Sequence, residues 1–303
     1  MKTKDLLSVA DLTAAEVNRL IARSIELKHQ VPSQVLSGKS LVLLFEKPSL
    51  RTRISFEVGI RQLGGYSLYL SPEEVGLDKR EPVPDVAQVL SRYVDGIVAR
   101  TFSHQTLQTL AHYSTVPVIN ALSDLEHPCQ ALADMVTICE KKGKLSGLTL
   151  AFVGDSNNVA RSLLLASSLT GINFQIAAPP GYAISEEILE TAREFATHSG
   201  GQIILAEEPR QAVMDADVVY TDVWTSMGQE VEVERRREAF AGYQVDAHLL
   251  SLAKKDAIFM HPMPAHHGEE VAVGVLESPC SVVFDQAENR LHLQKTLLVE
   301  MFG

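Results

Sequence analysis

The chain has 303 residues, about twice a common single domain, so two domains are expected. It is 46% apolar and 21% charged, a balance that excludes a disordered chain. Its net charge of −11 excludes a general nucleic-acid binder, which needs a basic surface to displace counterions.

An anion site in so acidic a protein must be built locally, from clustered arginine and backbone N–H groups. The cysteines, Cys129, Cys139 and Cys280, fit neither a disulfide framework nor a zinc motif, which points to a reducing compartment. The N-terminal MKTKDLLSVADL is interrupted by Asp5 and Asp11 and does not read as a signal peptide. No run approaches the ~18 apolar residues of a membrane span. A cytoplasmic enzyme or binding protein, acting on neither membranes nor nucleic acid, is expected.

In chain order, the first helix starts at Thr13, where Thr13 and Glu16 form a capping-box pattern. The runs 41–45, 66–70, 96–99 and 117–120 read as buried strands with helical patterns between them. A long helix at 127–141 leads to KKGKLSG (141–147), read as a turn between domains. A second series follows, with strands at 148–154, 172–178, 201–205, 217–221 and 257–260. Helices fit at 157–169, 184–198 and 246–253. The alternation predicts an α/β fold of two domains, each a parallel β-sheet flanked by helices. A last helix, 287–302, can return to either half.

Ligands of such folds bind beyond the carboxyl ends of the strands, so the residues there carry most weight. Ser49, Leu50, Arg51, Thr52 and Arg53 stand where the first strand's loop becomes a helix. Unpaired N–H groups, hydroxyls and a guanidinium fork make a phosphate cradle, although a helix cap with two solvated arginines uses the same residues. Arg100 closes another strand. His127 and Gln130 share a helix face and can both bond one carbonyl group.

These segments carry a resemblance. S-x-R-T-R-x-S-F-E (49–57), L-S-R-Y-x-D-G-I-x-x-R (90–100) and H-P-x-Q-x-L-x-D-x-x-T-I (127–138) are similar to the aspartate/ornithine carbamoyltransferase family, in the same order. The resemblance implies that Ser49, Leu50, Arg51 and Thr52 hold the phosphate of carbamoyl phosphate. It places Arg100, His127 and Gln130 at the carbamoyl end, with Arg51, Arg100 and His127 catalytic. Leu50 stands where ornithine members have threonine, which a backbone contact tolerates. Arg290, in FDQAENRLHLQK (284–295), joins the same site from the C-terminal helix, which then returns to the first domain. The implied domains are 1–140 with 286–303, binding carbamoyl phosphate, and 141–285, binding the amino acid.

In the second half, the turn VGDSNN lacks a full dinucleotide fingerprint, so an oxidoreductase reading rests on that turn alone. The resemblance assigns Asn158 to the amino acid. D-x-x-x-S-M-G (222–228) resembles the ornithine loop, which implies that Asp222, Ser226 and Met227 bind ornithine. HPMP (261–264) departs from the His-Cys-Leu-Pro usual in ornithine members, removing a thiol. The carbonyls of Pro262 and Met263 can still accept hydrogen bonds from carbamoyl phosphate, and Met263–Pro264 is the place for a cis bond.

The activity implied is transfer of the carbamoyl group to the side-chain amine of L-ornithine, giving L-citrulline and phosphate. Putrescine, an N-acylated ornithine or aspartate as acceptor, or a catalytically weak carbamoyl phosphate binder, are the alternatives. No metal or other cofactor is required. The family forms trimers, so a homotrimer or a multiple of it is implied, with residues 71–82 reaching a neighbour's phosphate site.

Overall fold

Runs buried on both faces set the architecture, because parallel strands covered by helices have no solvent side on which to alternate. The computed structural model describes Met1 and residues 3–30, 33–77, 80–226 and 228–303, with the backbone alone at Val75 and Glu230. Cα packing divides the chain into two units, Met1–Val136 with Glu288–Gly303, and Thr137–Ala287.

The first unit opens with α1 (Ala14–Lys28), entered through the Thr13–Glu16 capping box. Then come β1 (Ser40–Phe45), α2 (Leu50–Gln62), β2 (Tyr66–Leu70), α3 (Pro72–Val75) and α4 (Val83–Leu90). They are followed by β3 (Gly96–Arg100), α5 (His104–Tyr113), β4 (Val118–Leu122) and α6 (Pro128–Lys142). The sheet is parallel with order β2-β1-β3-β4. Its order reverses between β1 and β3, where Phe45 stands opposite Arg100. Crossovers leave that point in opposite directions and open a crevice at the strand ends.

The second unit holds β5 (Thr149–Val153), α7 (Asn158–Thr170), β6 (Asn173–Ala177), α8 (Glu186–Ser199) and β7 (Ile203–Ala206). It continues with α9 (Pro209–Val213), β8 (Val218–Thr221), α10 (Val233–Ala239), α11 (Ala247–Leu250) and β9 (Ile258–Met260). This sheet is also parallel, with order β7-β6-β5-β8-β9. Its reversal lies between β5 and β8, with Val153 opposite Thr221.

Helix α12 (Val283–Phe302) ends the chain and returns to the first unit. Ser24 of α1 donates to Thr296 at 3.0 Å, and Lys28 donates to Asn289 at 3.0 Å. Gly96 makes room for the helix end, since a Cβ there would stand 2.6 Å from the Phe302 ring. All nine expected strands form, but 66–70, expected as a buried strand, lies at a sheet edge with Tyr66 and Leu68 exposed. Two helices differ from the sequence reading. The helix expected at 246–253 stops at Leu250, where the Ser251 hydroxyl takes the His248 carbonyl and the chain goes on in turns. Helix α12 starts at Val283, four residues earlier than expected.

Candidate active site

The first unit gathers its cations at the β1/β3 reversal. Ser49 caps α2, its Oγ accepting the Thr52 N–H at 3.3 Å, so the helix start faces the end of β1. Leu50 is 70% exposed and Thr52 fully buried. Arg290, from α12, donates through Nη2 to the Thr52 hydroxyl. The two residues are 238 positions apart, and the fold alone joins them.

Arg100 ends β3 and is 8% exposed. Burial, then repulsion from Arg290 and Arg51, pulls its guanidinium down from its ordinary value to about 10. Its Nε is buried without a hydrogen-bond partner among the described residues, and Arg100 forms no ion pair among them. His127 precedes Pro128, the first residue of α6, and its carbonyl accepts the Gln130 and Ala131 N–H groups. Burial, then Arg290 and Arg100, hold its imidazole well below the usual value, so it is neutral at neutral pH. A neutral ring is a hydrogen-bond donor at one nitrogen only.

Gln130 is oriented by a residue the sequence reading did not use. Its Nε2 donates to Asp134 Oδ1 at 2.8 Å. A carboxylate only accepts, so the amide nitrogen must face it. Gln130 Oε1 is left as a buried acceptor with no partner among the described residues. A glutamine and an acid four apart on one helix carry a signal for this pair, weak without the burial pattern.

The second unit repeats the arrangement with opposite charge. Asn157 caps α7, its Oδ1 accepting from Val159 at 2.9 Å and Ala160 at 3.1 Å. Its Nδ2 donates to Asp222 Oδ2 at 2.7 Å, across the β5/β8 reversal. Asp222 is 8% exposed and forms no ion pair among the described residues. Burial raises its carboxyl above the ordinary range, against the lowering influence of His261 and the Asn157 and Val223 hydrogen bonds. Asn158 is half-buried at the first position of α7. Ser226 lies in the following loop, its N–H donating to Gln229 Oε1 at 3.0 Å. Met227 lies outside the described residues, as do Asp78 and Lys79 of the 71–82 segment.

Pro262 and Met263 follow β9, and the Met263–Pro264 bond is cis. His261 fixes this turn. Its Nδ1 accepts the Met263 N–H at 2.9 Å, which leaves the proton on Nε2, 3.1 Å from Glu270 Oε1. Gln286 Oε1 takes the His261 N–H at 2.9 Å. His266, Glu269 and Glu270 bring ligand atoms within 4.8 Å of one another, a cation-like cluster. The chain's own groups occupy it: Arg237 donates to Glu269 at 2.8 Å, and Glu270 accepts from His261 and from the His266 N–H.

Known proteins match the chain in sequence and in fold. Residues 4–140 match the carbamoyl-P binding domain, and 146–301 the Asp/Orn binding domain, of aspartate/ornithine carbamoyltransferase. The chain belongs to the aspartate/ornithine carbamoyltransferase family. It is 52% identical to an ornithine carbamoyltransferase of Thermococcus kodakarensis, covering 99% of this chain and 96% of that one. The solved ornithine carbamoyltransferase of Pyrococcus furiosus is 49% identical, with a TM-score of 0.96 over 99% of this chain and 97% of that one. A solved acetylornithine transcarbamylase, complexed with acetylcitrulline, is 30% identical with a TM-score of 0.90, over 99% and 100% of the two chains. Membership of this family displaces the oxidoreductase reading of the VGDSNN turn.

Proposed function

We propose that this chain transfers the carbamoyl group of carbamoyl phosphate to the side-chain amine of L-ornithine, giving L-citrulline and phosphate. One observation carries the reading. Arg290 and Arg51 both act on Arg100, and Arg290 and Arg100 on a neutral His127, at the end of a buried strand in a protein of net charge −11. Like charges are brought together at a cost that a bound dianion offsets.

Ser49, Leu50, Arg51 and Thr52 receive the phosphate through the start of α2, and Arg290 joins them. Arg100 and His127 donate to the carbonyl oxygen as it gains charge. Gln130 Oε1 accepts from the carbamoyl amide, the one part of that ligand with N–H groups. Pro262 and Met263 offer backbone carbonyls. Asp222 takes the α-ammonium of ornithine, with Asn158, Ser226 and Met227 around the amino acid.

An alkyl amine has a pKa of about 10.4, so selecting its neutral form at pH 7 costs roughly 4–5 kcal/mol. Desolvation lowers that cost. The amine nitrogen bonds to the carbamoyl carbon, the carbon–oxygen bond to phosphate breaks, and the departing phosphate takes the proton. Positioning and electrostatics are then the protein's contribution. The reading is tested by carbamoylation of ornithine, putrescine, N-acetylornithine and aspartate. Ornithine is expected to give the highest kcat/KM. Carbamoyl phosphate binding with no product from ornithine would overturn the reading.

Pro262 removes the neighbouring thiol, and neither Cys129 nor Cys139 is suited to replace it. Cys129 is fully buried, its thiol pushed up to about 12 by burial, with Sγ 3.4 Å from the Asn120 carbonyl. Cys139 is raised for the same reason. A protonated thiol is a poor nucleophile. Iodoacetamide at neutral pH is therefore expected to leave citrulline formation intact; rapid inactivation would show that a thiolate takes part.

The chain is further proposed to assemble with copies of itself through α2 and β2. Leu50, Ile54 and Val58, 70%, 49% and 36% exposed, fall on one face of α2. Tyr66 and Leu68, 63% and 43% exposed, lie on the edge strand β2. An apolar stripe beside a charged site suits a second copy. Light scattering is expected to give a multiple of the 33.2 kDa chain mass that Ile54→Glu reduces. A monomer before substitution would refute the assembly.

A further inference from the structure

Asn157 does two jobs with one amide. Its Oδ1 accepts the Val159 and Ala160 N–H groups and so starts α7. Its Nδ2 donates to Asp222 Oδ2 at 2.7 Å. The other oxygen of Asp222 accepts the Val223 N–H at 2.8 Å. One donor therefore holds each carboxylate oxygen, and the plane of the carboxylate is fixed while lone pairs remain for a ligand.

The residue type is demanding. Aspartate caps a helix as well as asparagine does, but offers no donor to a second carboxylate. Serine caps too, but its hydroxyl is attached one atom nearer the backbone. Glutamine donates but is a poor cap. Only asparagine joins the two tasks at this length. Both partners stand at the ends of β5 and β8, where the strand order reverses.

We infer that Asn157 is a positioning residue for the amino-acid substrate: it aims the Asp222 carboxylate at the α-ammonium group while it starts α7. This rests on the proposed role of Asp222 as the ammonium-binding anion. His261 and Glu270 also act on Asp222 through space, with opposite signs, but neither bonds to it. Among the described residues, Asn157 is the side chain that does.

Steady-state kinetics on Asn157→Asp tests the inference. The substitution keeps the cap, so α7 starts as before. It removes the donor and sets a second anion against Asp222. KM for ornithine is expected to rise roughly tenfold to a hundredfold, the range for a lost hydrogen bond to a charged group. KM for carbamoyl phosphate and kcat at saturating ornithine stay unchanged. Asn157→Ser, which keeps a cap and brings no new charge, shows the same split to a smaller degree and serves if the aspartate variant fails to fold. Equal losses in kcat and in both KM values would reduce Asn157 to a structural cap and overturn the inference. Asp222→Asn separates the two ideas. If it leaves KM for ornithine unaltered, the role of Asp222 falls. If it raises that KM while both Asn157 variants do not, the positioning role alone falls.

Discussion

Replacing Arg100 with methionine is expected to lower turnover roughly a hundredfold to a thousandfold, the usual cost of losing one donor to a developing oxyanion. The same substitution leaves stability unchanged or raises it. Arg100 is 8% exposed and its guanidinium is drawn down from its ordinary value to about 10, first by burial and then by Arg290 and Arg51. That fall corresponds to roughly 3 kcal/mol against keeping the charge in the fold. The sign follows from linkage. The folded value lies below the unfolded one, so the charge opposes folding at all pH values below about 10 and the penalty fades only above it. Methionine fills a similar volume without the charge. Urea unfolding and citrulline formation on one preparation decide the matter. Near-normal turnover would remove Arg100 from the reaction, and a clear loss of stability would show that its charge is compensated. Arg51→Ala is expected to lower turnover in the same direction, by about a hundredfold or more.

Asp222→Asn is the counterpart in the second unit. Its carboxyl is buried, raised above the usual range by desolvation, and joined to Asn157 and the Val223 N–H but to no cation among the described residues. A buried anion without a counter-cation gains most from a ligand ammonium. Asparagine keeps the shape and loses the charge. Breaking such a pair by removing one partner costs roughly 2–5 kcal/mol, so KM for ornithine is expected to rise about thirtyfold or more. Carbamoyl phosphate binding, measured by calorimetry, stays as it was. Linkage again gives the sign for the free protein. A carboxyl held above its ordinary value favours the folded state when protonated, so the variant escapes a penalty that the native chain carries above its ordinary pKa. Unchanged ornithine kinetics would sink the assignment. A loss of carbamoyl phosphate binding would show that the substitution disturbs more than the amino-acid site.

These two residues show how far local pattern reaches. Arg100 and Asp222 were both found because each stands at the end of a buried apolar run, the place where α/β folds hold ligands. Asn157 and Asn158 both suit the grip on a small polar ligand at the start of α7, and the family resemblance singles out Asn158 alone. A cap and a carboxylate partner look alike in a string of letters, and the 2.7 Å contact that separates them spans 65 residues. Asp134 was missed for a related reason. Its pairing with Gln130 depends on the burial of α6, which a helical period does not reveal.

By itself the amino-acid sequence determined the strands, the Thr13–Glu16 helix start, the cis candidate at Met263–Pro264 and the order of the family motifs. Each is a matter of neighbours within a few residues: apolar runs, capping hydroxyls, an X–Pro bond. Only the tertiary structure decided that β1 lies beside β3 and β5 beside β8, and that Arg290 reaches Thr52. Strands buried on both faces carry no alternation to mark their partners, and an arginine on a helix has the same local signature in solvent as in a site. Strand order and helix return are settled by packing between segments far apart in the chain, and they are what turned separate motifs into a positive centre in one unit and a negative one in the other.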